Sequence, residues 1–322
     1  MARLRTAHPG TDPGIRRRRR GRGWSFVHDN GRAVSAEDRE RALALVLPPA
    51  WTDVWIAADP LAHIQATGID DAGRTQYRYH DEWGERRERL KHERALDLAE
   101  TLPSLRRQVT RDLGEPGLGR ERVLAAALRM LDLVAIRAGG DTYADERGTR
   151  GLMTLLVRHA TVDGDSGAIR LRFPAKSGQR FDVTLEDRDL ARCLAELRSH
   201  RSGASRLLAF RDGKGVHPLH DRDLNDAVRG ATGGEFTAKD FRTLHGTILA
   251  ATSLARARDV GSARERAAAE RAAVAEVAEA LGNTVAVARS SYIDPEVFSR
   301  FEEGETIDLR GSREKAILRL LR

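Results

Sequence analysis

The stretch Leu281-Gly-Asn-Thr-Val-Ala-Val-Ala-Arg-Ser-Ser-Tyr-Ile-Asp-Pro295 predicts a short helix with one tyrosine near its end. Asn283 or Thr284 can cap this helix, and Pro295 limits how far it continues. The valines and alanines between them provide a face to bury. Tyr292 is therefore well placed for chemistry. Taken alone, however, a tyrosine near a helix end is more often a surface residue with a packed ring and a hydrated hydroxyl.

Two stretches upstream of this tyrosine reverse that interpretation. One is Ile136-Arg-Ala-Gly-Gly140, followed by Tyr143, and the other is Phe236-Thr-Ala-Lys-Asp-Phe-Arg-Thr-Leu-His-Gly-Thr247. Together with Tyr292 they stand in the order found in type IB DNA topoisomerases. From about Trp24 to Arg300 the chain resembles the compact bacterial and poxvirus-like branch of that family.

The resemblance implies a role for three of these residues. Arg137 resembles the first catalytic arginine, Arg242 the second, and Tyr292 the nucleophile that attacks phosphorus. Guanidinium groups suit this chemistry because they are planar and permanently charged, and negative charge grows on the phosphate oxygens during attack. Tyr143 and Lys239, which belong to the same stretches, are predicted to contact DNA.

Helical spacing suggests how the two arginines are held. It predicts one helix over residues 121–138, with Arg137 in its last turn, and another over 239–254 that carries Arg242. Without the resemblance, Arg137 is explained as a cation favoured by a helix dipole. Arg242 would then be a surface arginine paired with Asp240 or Glu235, which leaves the match across Lys-Asp-Phe-Arg-Thr unexplained.

Phe173-Pro-Ala-Lys-Ser-Gly178 lies between two predicted strands and forms a hairpin turn. A lysine at a hairpin tip is usually just solvated. In the family this lysine donates a proton to the leaving 5′ oxygen, so the resemblance assigns that role to Lys176. The role requires desolvation or neighbouring cations, because the unperturbed pKa of lysine is about 10.4.

Asn283 departs from many family members, which have histidine within a Leu-Gly-His-Thr pattern. An asparagine side chain can donate a hydrogen bond to a phosphate oxygen, but it cannot carry a proton as an imidazolium does. We therefore expect Asn283 to bind phosphate only.

Composition predicts a globular protein of two domains. The chain has 322 residues, of which 40% are hydrophobic and 32% charged, with no run of 18 apolar residues and no apolar core behind the basic N-terminus. Cys193 is the only cysteine, which fits a reducing compartment. With the DNA substrate that the resemblance implies, these features predict a cytoplasmic, nucleoid-associated protein without a membrane segment.

The net charge of +7 is concentrated at the N-terminus. Residues 1–32 contain nine arginines against Asp12 and Asp29, so this segment accounts for the whole excess. The run Arg16–Arg20 predicts a disordered tail over residues 1–23, which either binds phosphates nonspecifically or only aids solubility.

Short apolar stretches broken by Gly, Asp and Pro predict a small sheet domain over residues 24–112 with a helix at 36–45. Alternation places Tyr77 and Tyr79 on one face and Arg78 on the other. An edge strand with half-buried aromatics explains this pattern as well. This stretch also resembles a segment of the family that is implied to touch DNA. The resemblance favours DNA contacts by a set of neighbouring residues: Arg74, Gln76, Tyr77, Arg78 and Tyr79.

Residues 113–322 are predicted to form a larger, mainly helical catalytic domain with a small antiparallel sheet, which makes the fold class α+β. Charged helices at 82–98 and to 113 precede the Gly114–Gly119 break, strands are expected at 151–160, 168–173 and 180–185, and Ser312 is expected to cap a final helix. Two such lobes can close around a duplex.

Motifs for cofactors are weak. His217-Pro-Leu-His220 has the spacing of a metal pair, but Pro218 prevents regular helical presentation and no second ligand pair is near. There is no Walker-type loop for ATP. We therefore expect no cofactor.

The resulting hypothesis is a monomeric type IB topoisomerase that nicks one strand, lets it rotate and reseals it. A tyrosine recombinase is the nearest alternative, but it expects His-x-x-Arg where this chain has Lys239-Asp-Phe-Arg242. A noncatalytic DNA-binding protein of the same fold is a second alternative, disfavoured by the complete Arg, Lys, Arg, Tyr set.

Overall fold

The computed structural model describes residues 4–21, 23–140, 148–175, 178 and 180–322. The chain divides into two compact units, Met1–Leu90 and Lys91–Arg322. The division falls inside one continuous helix, α2 (Asp81–Leu113), and so precedes the boundary expected between residues 112 and 113. The two helices expected before that boundary are a single helix, whose buried stripe of Leu98, Leu102 and Leu105 continues past Pro103.

The first unit is built on a five-stranded antiparallel sheet, as its short apolar stretches predicted. The spatial order is β2-β1-β3-β4-β5. Its strands are β1 (Gly14–Arg20), β2 (Gly23–His28), β3 (Thr52–Ala57), β4 (Ile64–Ile69) and β5 (Thr75–Tyr79). Helix α1 (Ala36–Ala44), capped by Ser35, buries Ala42 on one face of the sheet against Ile15 and Ile56.

The expectation of a disordered tail is wrong for the arginine run. Arg16–Arg20 lies in β1 and pairs in register with β2. Arg17 shows how the strand tolerates these charges: its guanidinium lies 4.1 Å from the Trp24 ring centroid and donates to the carbonyls of Leu47, Pro48 and Trp51. The strand partner and Trp24 come from the adjacent hairpin, but the three carbonyls lie about 30 residues further along the chain, so local composition did not predict them.

The second unit is mainly helical. After α2, its helices are α3 (Arg120–Val134), α4 (Arg188–Arg198), α5 (Asp221–Thr232), α6 (Ala238–Arg256), α7 (Ala263–Leu281), α8 (Val285–Tyr292), α9 (Glu296–Glu302) and α10 (Arg313–Leu321). Ser312 caps α10, as predicted, and Ala316 and Ile317 of this helix pack in one apolar cluster with Ala288 of α8.

Small sheets complete this unit. Strands β6 (Ala160–Val162), β7 (Ala168–Pro174) and β8 (Arg180–Glu186) form an antiparallel sheet, and β9 (Ala209–Asp212) pairs with β10 (Gly215–Pro218). The strand predicted over 151–160 is wrong: 3-10 turns occupy Leu152–Thr154 and Val157–His159. Leu152, Met153 and Leu155 are all buried, so the segment lacks the alternation of a sheet strand.

Cys193 of α4 is fully buried in the core of this unit, and burial raises the pKa of its thiol to about 11. Within the described part of the chain, no helix has both the length and the apolar character needed to cross a membrane.

Candidate active site

Tyr292 is the last residue of α8, as the sequence predicted. Of the two candidate caps, Thr284 is the one that begins the helix, and its hydroxyl accepts a hydrogen bond from the Val287 N–H at 3.3 Å. The buried Ala288 fixes the helix against the core. The tyrosine ring is half-buried at the point where the chain leaves the helix.

Arg242 lies beneath this ring, one turn into α6. Its Cζ is 4.8 Å from the centroid of the Tyr292 ring, and only 3% of the residue is exposed. The guanidinium donates to the carbonyl oxygens of Ala135 at 2.6 Å and Leu281 at 2.9 Å, which join the ends of α3 and α7. The alternative of a surface ion pair is therefore wrong.

Asp240, one of the two carboxylates offered as a partner for Arg242, pairs with a different arginine. Asp240 accepts a hydrogen bond from Arg94 of α2 at 2.9 Å and from the Thr237 N–H at 2.8 Å, at the start of α6. Arg94 thus holds the end of the helix that carries Arg242. No local pattern indicates this contact, since the two residues are far apart in the chain.

The prediction that Arg137 lies in the last turn of a helix is wrong. Helix α3 ends at Val134, and Ala135 adopts a left-handed conformation with φ 46°. The segment that follows is held by backbone hydrogen bonds from Leu152 to the Arg137 carbonyl at 2.7 Å and from Met153 to that of Ala138 at 2.8 Å. Gly151 permits this approach, because a Cβ there would be 2.6 Å from the Arg137 oxygen.

Asn283 meets Arg137 in the described structure: the Arg137 guanidinium donates to Asn283 Oδ1. The backbone N–H of Asn283 donates to the Ala278 carbonyl at 2.8 Å, which fixes the residue after α7. Its side-chain Nδ2 is buried and has no hydrogen-bond partner among the described residues, and the same holds for Arg242 Nε. A buried unpaired N–H is costly, so both groups are candidates for binding an acceptor from outside the protein.

Charges around Tyr292 favour its ionised form. Burial alone would raise the pKa of Tyr292, but Arg242, through its charge and a hydrogen bond, and the charges of Arg137 and Lys239 lower it below its ordinary value. Burial also lowers the pKa of Arg242, although an arginine stays protonated in proteins. The oxygen of Tyr292 therefore lies among cations.

Gly246 and Thr247 of α6 also position the tyrosine, and sequence reasoning assigned them no role. A Cβ at Gly246 would lie 2.3 Å from the Tyr292 carbonyl oxygen. The Thr247 hydroxyl accepts a hydrogen bond from the Asp294 N–H at 3.1 Å. Their place at the end of the Phe236–Thr247 stretch, which carries the family resemblance, is the signal that indicates such a role. A further arginine, Arg150, lines a small cavity together with Arg137 and Arg242.

Two predicted site residues, Lys176 and Tyr143, lie outside the described residues. Four of the others in this unit converge on one cleft, and Asn283 is joined to them through its contact with Arg137. Arg137, Lys239, Arg242 and Tyr292 line one cleft of about 260 Å³. A phosphodiester that enters this cleft would meet a tyrosine oxygen with permanent cations on its flanks.

The predicted DNA-binding residues of the first unit form a separate group on and beside β5. Tyr77 and Tyr79 share a face and stack with centroids 6.0 Å apart, and Tyr77 is 48% exposed. Arg74 and Gln76 both donate to Asp70, at 2.7 Å and 2.9 Å, and hydrogen bonds from Arg74 help lower the pKa of that carboxyl to about 2. Arg78 projects from the opposite face and pairs with Asp81 at 3.2 Å.

Comparison with known proteins decides the family. Residues 80–308 match the family model for the eukaryotic DNA topoisomerase I catalytic core, and residues 23–70 match that for the bacterial DNA topoisomerase IB N-terminal domain. The chain belongs to the type IB DNA topoisomerases. It is also 31% identical, over 305 residues and 88% of each chain, to a DNA topoisomerase 1B of Acanthamoeba polyphaga mimivirus.

The predicted family, fold class and enzyme class of this topoisomerase are thereby confirmed. It is a DNA-binding isomerase with a bacterial-type N-terminal domain, and its substrate is DNA. This assignment replaces the alternatives of a tyrosine recombinase and of a noncatalytic DNA-binding protein. The roles of the individual site residues stay predictions.

Proposed function

We propose that this topoisomerase relaxes supercoiled duplex DNA through a covalent bond between Tyr292 and the 3′ phosphate of a nicked strand. One observation carries the proposal: Tyr292 lies over the buried Arg242, beside Arg137, with its pKa lowered by their charges. A tyrosine that ionises more readily is a better nucleophile, and fixed guanidinium groups favour the charge that develops on a phosphate.

The step balances without a cofactor. The Tyr292 oxygen forms a bond to phosphorus, the bond from phosphorus to the 5′ oxygen breaks, and the phenolic proton leaves to solvent. The departing 5′ oxygen takes a proton, which we assign to Lys176. The phosphotyrosine ester keeps the energy of the broken bond, so the 5′ hydroxyl reverses the reaction after the free strand has rotated. The scheme requires neither ATP nor a metal.

We assign the nonbridging phosphate oxygens to Arg137, Arg242 and Asn283. The unpaired N–H groups at Asn283 Nδ2 and Arg242 Nε support this assignment, because each is a donor that lacks an acceptor and phosphate oxygens are acceptors. Asn283 fills the place of the family's histidine and supplies a hydrogen bond without a mobile proton. Arg137 both donates to Asn283 and faces the cleft, so it aligns the amide as well as the phosphate.

We further propose that the enzyme acts as a monomer in the cytoplasm and that both of its units contact one duplex, as a clamp does. In the first unit, the exposed Tyr77 and the stacked Tyr79 are suited to sugars and bases, while Arg74, Gln76 and Arg78 reach phosphates after exchanging their carboxylate partners. In the second, Tyr143 and Lys239 complete the DNA contacts.

Relaxation of a supercoiled plasmid with excess EDTA and no ATP tests the proposal, with wild type compared with Tyr292→Phe. The phenylalanine variant is expected to bind DNA with little change and to give no relaxation. Detergent should trap covalent protein–DNA adducts for the wild type only. Nicking by the Tyr292→Phe variant, or adducts that map to another residue, would overturn the assignment of the nucleophile.

A further inference from the structure

The arginine run in β1 lies in a part of the sheet that has only one neighbour. Strand β1 pairs with β3 through Gly14–Arg16, whereas its pairing with β2 continues to Arg20. The end of β1 and the start of β2 therefore form a two-stranded ribbon beyond β3. A ribbon of this kind is narrow enough to approach the groove of a DNA duplex.

Alternation along β1 separates the arginines into two faces. On one face, the Arg17 guanidinium packs over Trp24 and donates to three backbone carbonyls, so its partners are within the protein. On the other face, Arg16 forms ion pairs with the two nearby carboxylates, Asp29 at 2.7 Å and Asp53 at 3.2 Å.

Arg18 and Arg20 share the face of Arg16 and are exposed, and neither has a carboxylate partner among the described residues. The residues opposite them on β2 are Ser25 and Gly23, which are too small to cover the guanidinium groups. On this face, two neighbouring cations are thus left without a carboxylate partner among the described residues.

The register relates this face to the predicted DNA contacts of the same unit. Arg16 is opposite Trp55, Trp55 is opposite Thr67, and Thr67 is opposite Tyr77. Directly opposed residues project from the same side of a sheet, so Arg18 and Arg20 lie on the side of Tyr77. Ala7 packs against Trp55 in the middle of this side, with the arginines towards β2 and the tyrosine at β5.

We infer that Arg18 and Arg20 form a second contact for the sugar-phosphate backbone of duplex DNA, outside the catalytic cleft. Residues two apart on a strand are separated by about 6.6 Å, which lets the two side chains reach neighbouring phosphates. The absence of apolar anchors opposite them disfavours a protein partner, because protein interfaces are centred on buried aromatic residues. This inference rests on the proposed function in one respect: it takes duplex DNA as the substrate.

Salt dependence of duplex binding tests this contact, measured in the Tyr292→Phe background so that the DNA stays intact. Each lost phosphate contact reduces the slope of log K against log salt by about 0.9 and weakens binding about fivefold at 0.15 M salt. Arg18→Gln and Arg20→Gln should each show this loss, and the double variant should lose about 1.8 in slope. Arg19→Gln is the matched control, because Arg19 is an exposed arginine on the opposite face of the same strand.

An unchanged slope in the double variant would overturn the contact, and so would an equal loss in Arg19→Gln, which would indicate bulk charge instead of a face. Thermal unfolding of each variant, expected to match the parent, shows that the fold is intact. Adduct formation by wild type is scored separately. Failure to form an adduct at Tyr292 would contradict the proposed nucleophile. Salt slopes that do not differ would contradict only the DNA contact by Arg18 and Arg20.

Discussion

Gly246 lies against the backbone of Tyr292, so close that a Cβ at position 246 would be 2.3 Å from the tyrosine carbonyl oxygen and 3.1 Å from its Cβ. Gly246 follows Arg242 by one helical turn on α6, so both residues present to the same neighbour. One helix face therefore sets both the position of the nucleophile and the charge beneath its ring.

Gly246→Ala should displace Tyr292 and slow cleavage. A methyl group cannot fit at this distance from a backbone oxygen, and a misplacement of about 1 Å can cost about 100-fold in rate. Single-turnover formation of the covalent adduct would show this loss with nearly unchanged DNA affinity. Gly230→Ala is the control, because a Cβ there meets nothing within 4 Å. Equal rates in the two variants would contradict the positioning role.

Thr247→Val should also slow cleavage, since it removes the hydroxyl that accepts the Asp294 N–H, two residues after the nucleophile. Thr247→Ser keeps the hydroxyl and should restore most of the rate, which a loss of stability alone would not explain. Thr252→Val serves as the comparison, because that hydroxyl donates to a carbonyl of its own helix, Ile248. The proposal fails if valine at 247 cleaves as fast as serine does.

Asn283→Asp should impair cleavage more than Asn283→Ala. The aspartate keeps an acceptor for Arg137 but replaces the unpaired N–H donor with a negative oxygen, which repels an entering phosphate. Rates of adduct formation at saturating DNA would rank the variants. An aspartate variant as active as wild type would rule out phosphate binding by this amide.

Ionisation of Tyr292 should respond to Lys239. Burial raises the pKa of Tyr292, whereas Arg242, Arg137 and Lys239 lower it below the ordinary value of about 10. The phenolate fraction rises with pH, so Lys239→Gln should move its appearance to higher pH. Ultraviolet phenolate absorbance, corrected with matched Tyr292→Phe proteins, measures the shift. No shift, or one to lower pH, would contradict this electrostatic account.

Glu314 should stabilise the protein only while it is ionised. Burial raises its pKa, but hydrogen bonds from Ser312 and Arg106 reverse this and lower it. A lowered carboxyl pKa contributes stability above the unfolded pKa of about 4.3 that is lost as pH falls. Glu314→Gln should cost about 1–2 kcal/mol at pH 7 and progressively less in acid.

Denaturant unfolding at several pH values measures this effect. Glu305→Gln, which breaks a more exposed ion pair with Arg300, should change stability little throughout the range. A pH-independent loss in the Glu314 variant would contradict the linkage.

Local patterns predicted the parts of the site that depend on one element. The capped helix with Tyr292 at its end and the amphipathic helix that carries Arg242 both follow from caps and periodicity. Such signals survive because neighbouring residues supply most of the contacts that define them.

The predictions were wrong where contacts with distant residues determine the local conformation. Arg137 leaves its helix early because the Ala135 carbonyl accepts from Arg242 and the Arg137 carbonyl accepts from Leu152. Arg17 stays in a strand because a remote loop offers it carbonyls. Neither partner can be identified from the pattern around the residue itself.

The buried thiol of Cys193 makes this topoisomerase well suited to optical measurements. A thiol with a pKa of about 11, enclosed by the core, is a poor target for reagents that attack thiolates. Since the chain has no second cysteine, one engineered at an exposed position would take a fluorophore selectively. Strand swivelling could then be timed in single molecules without first removing a native residue.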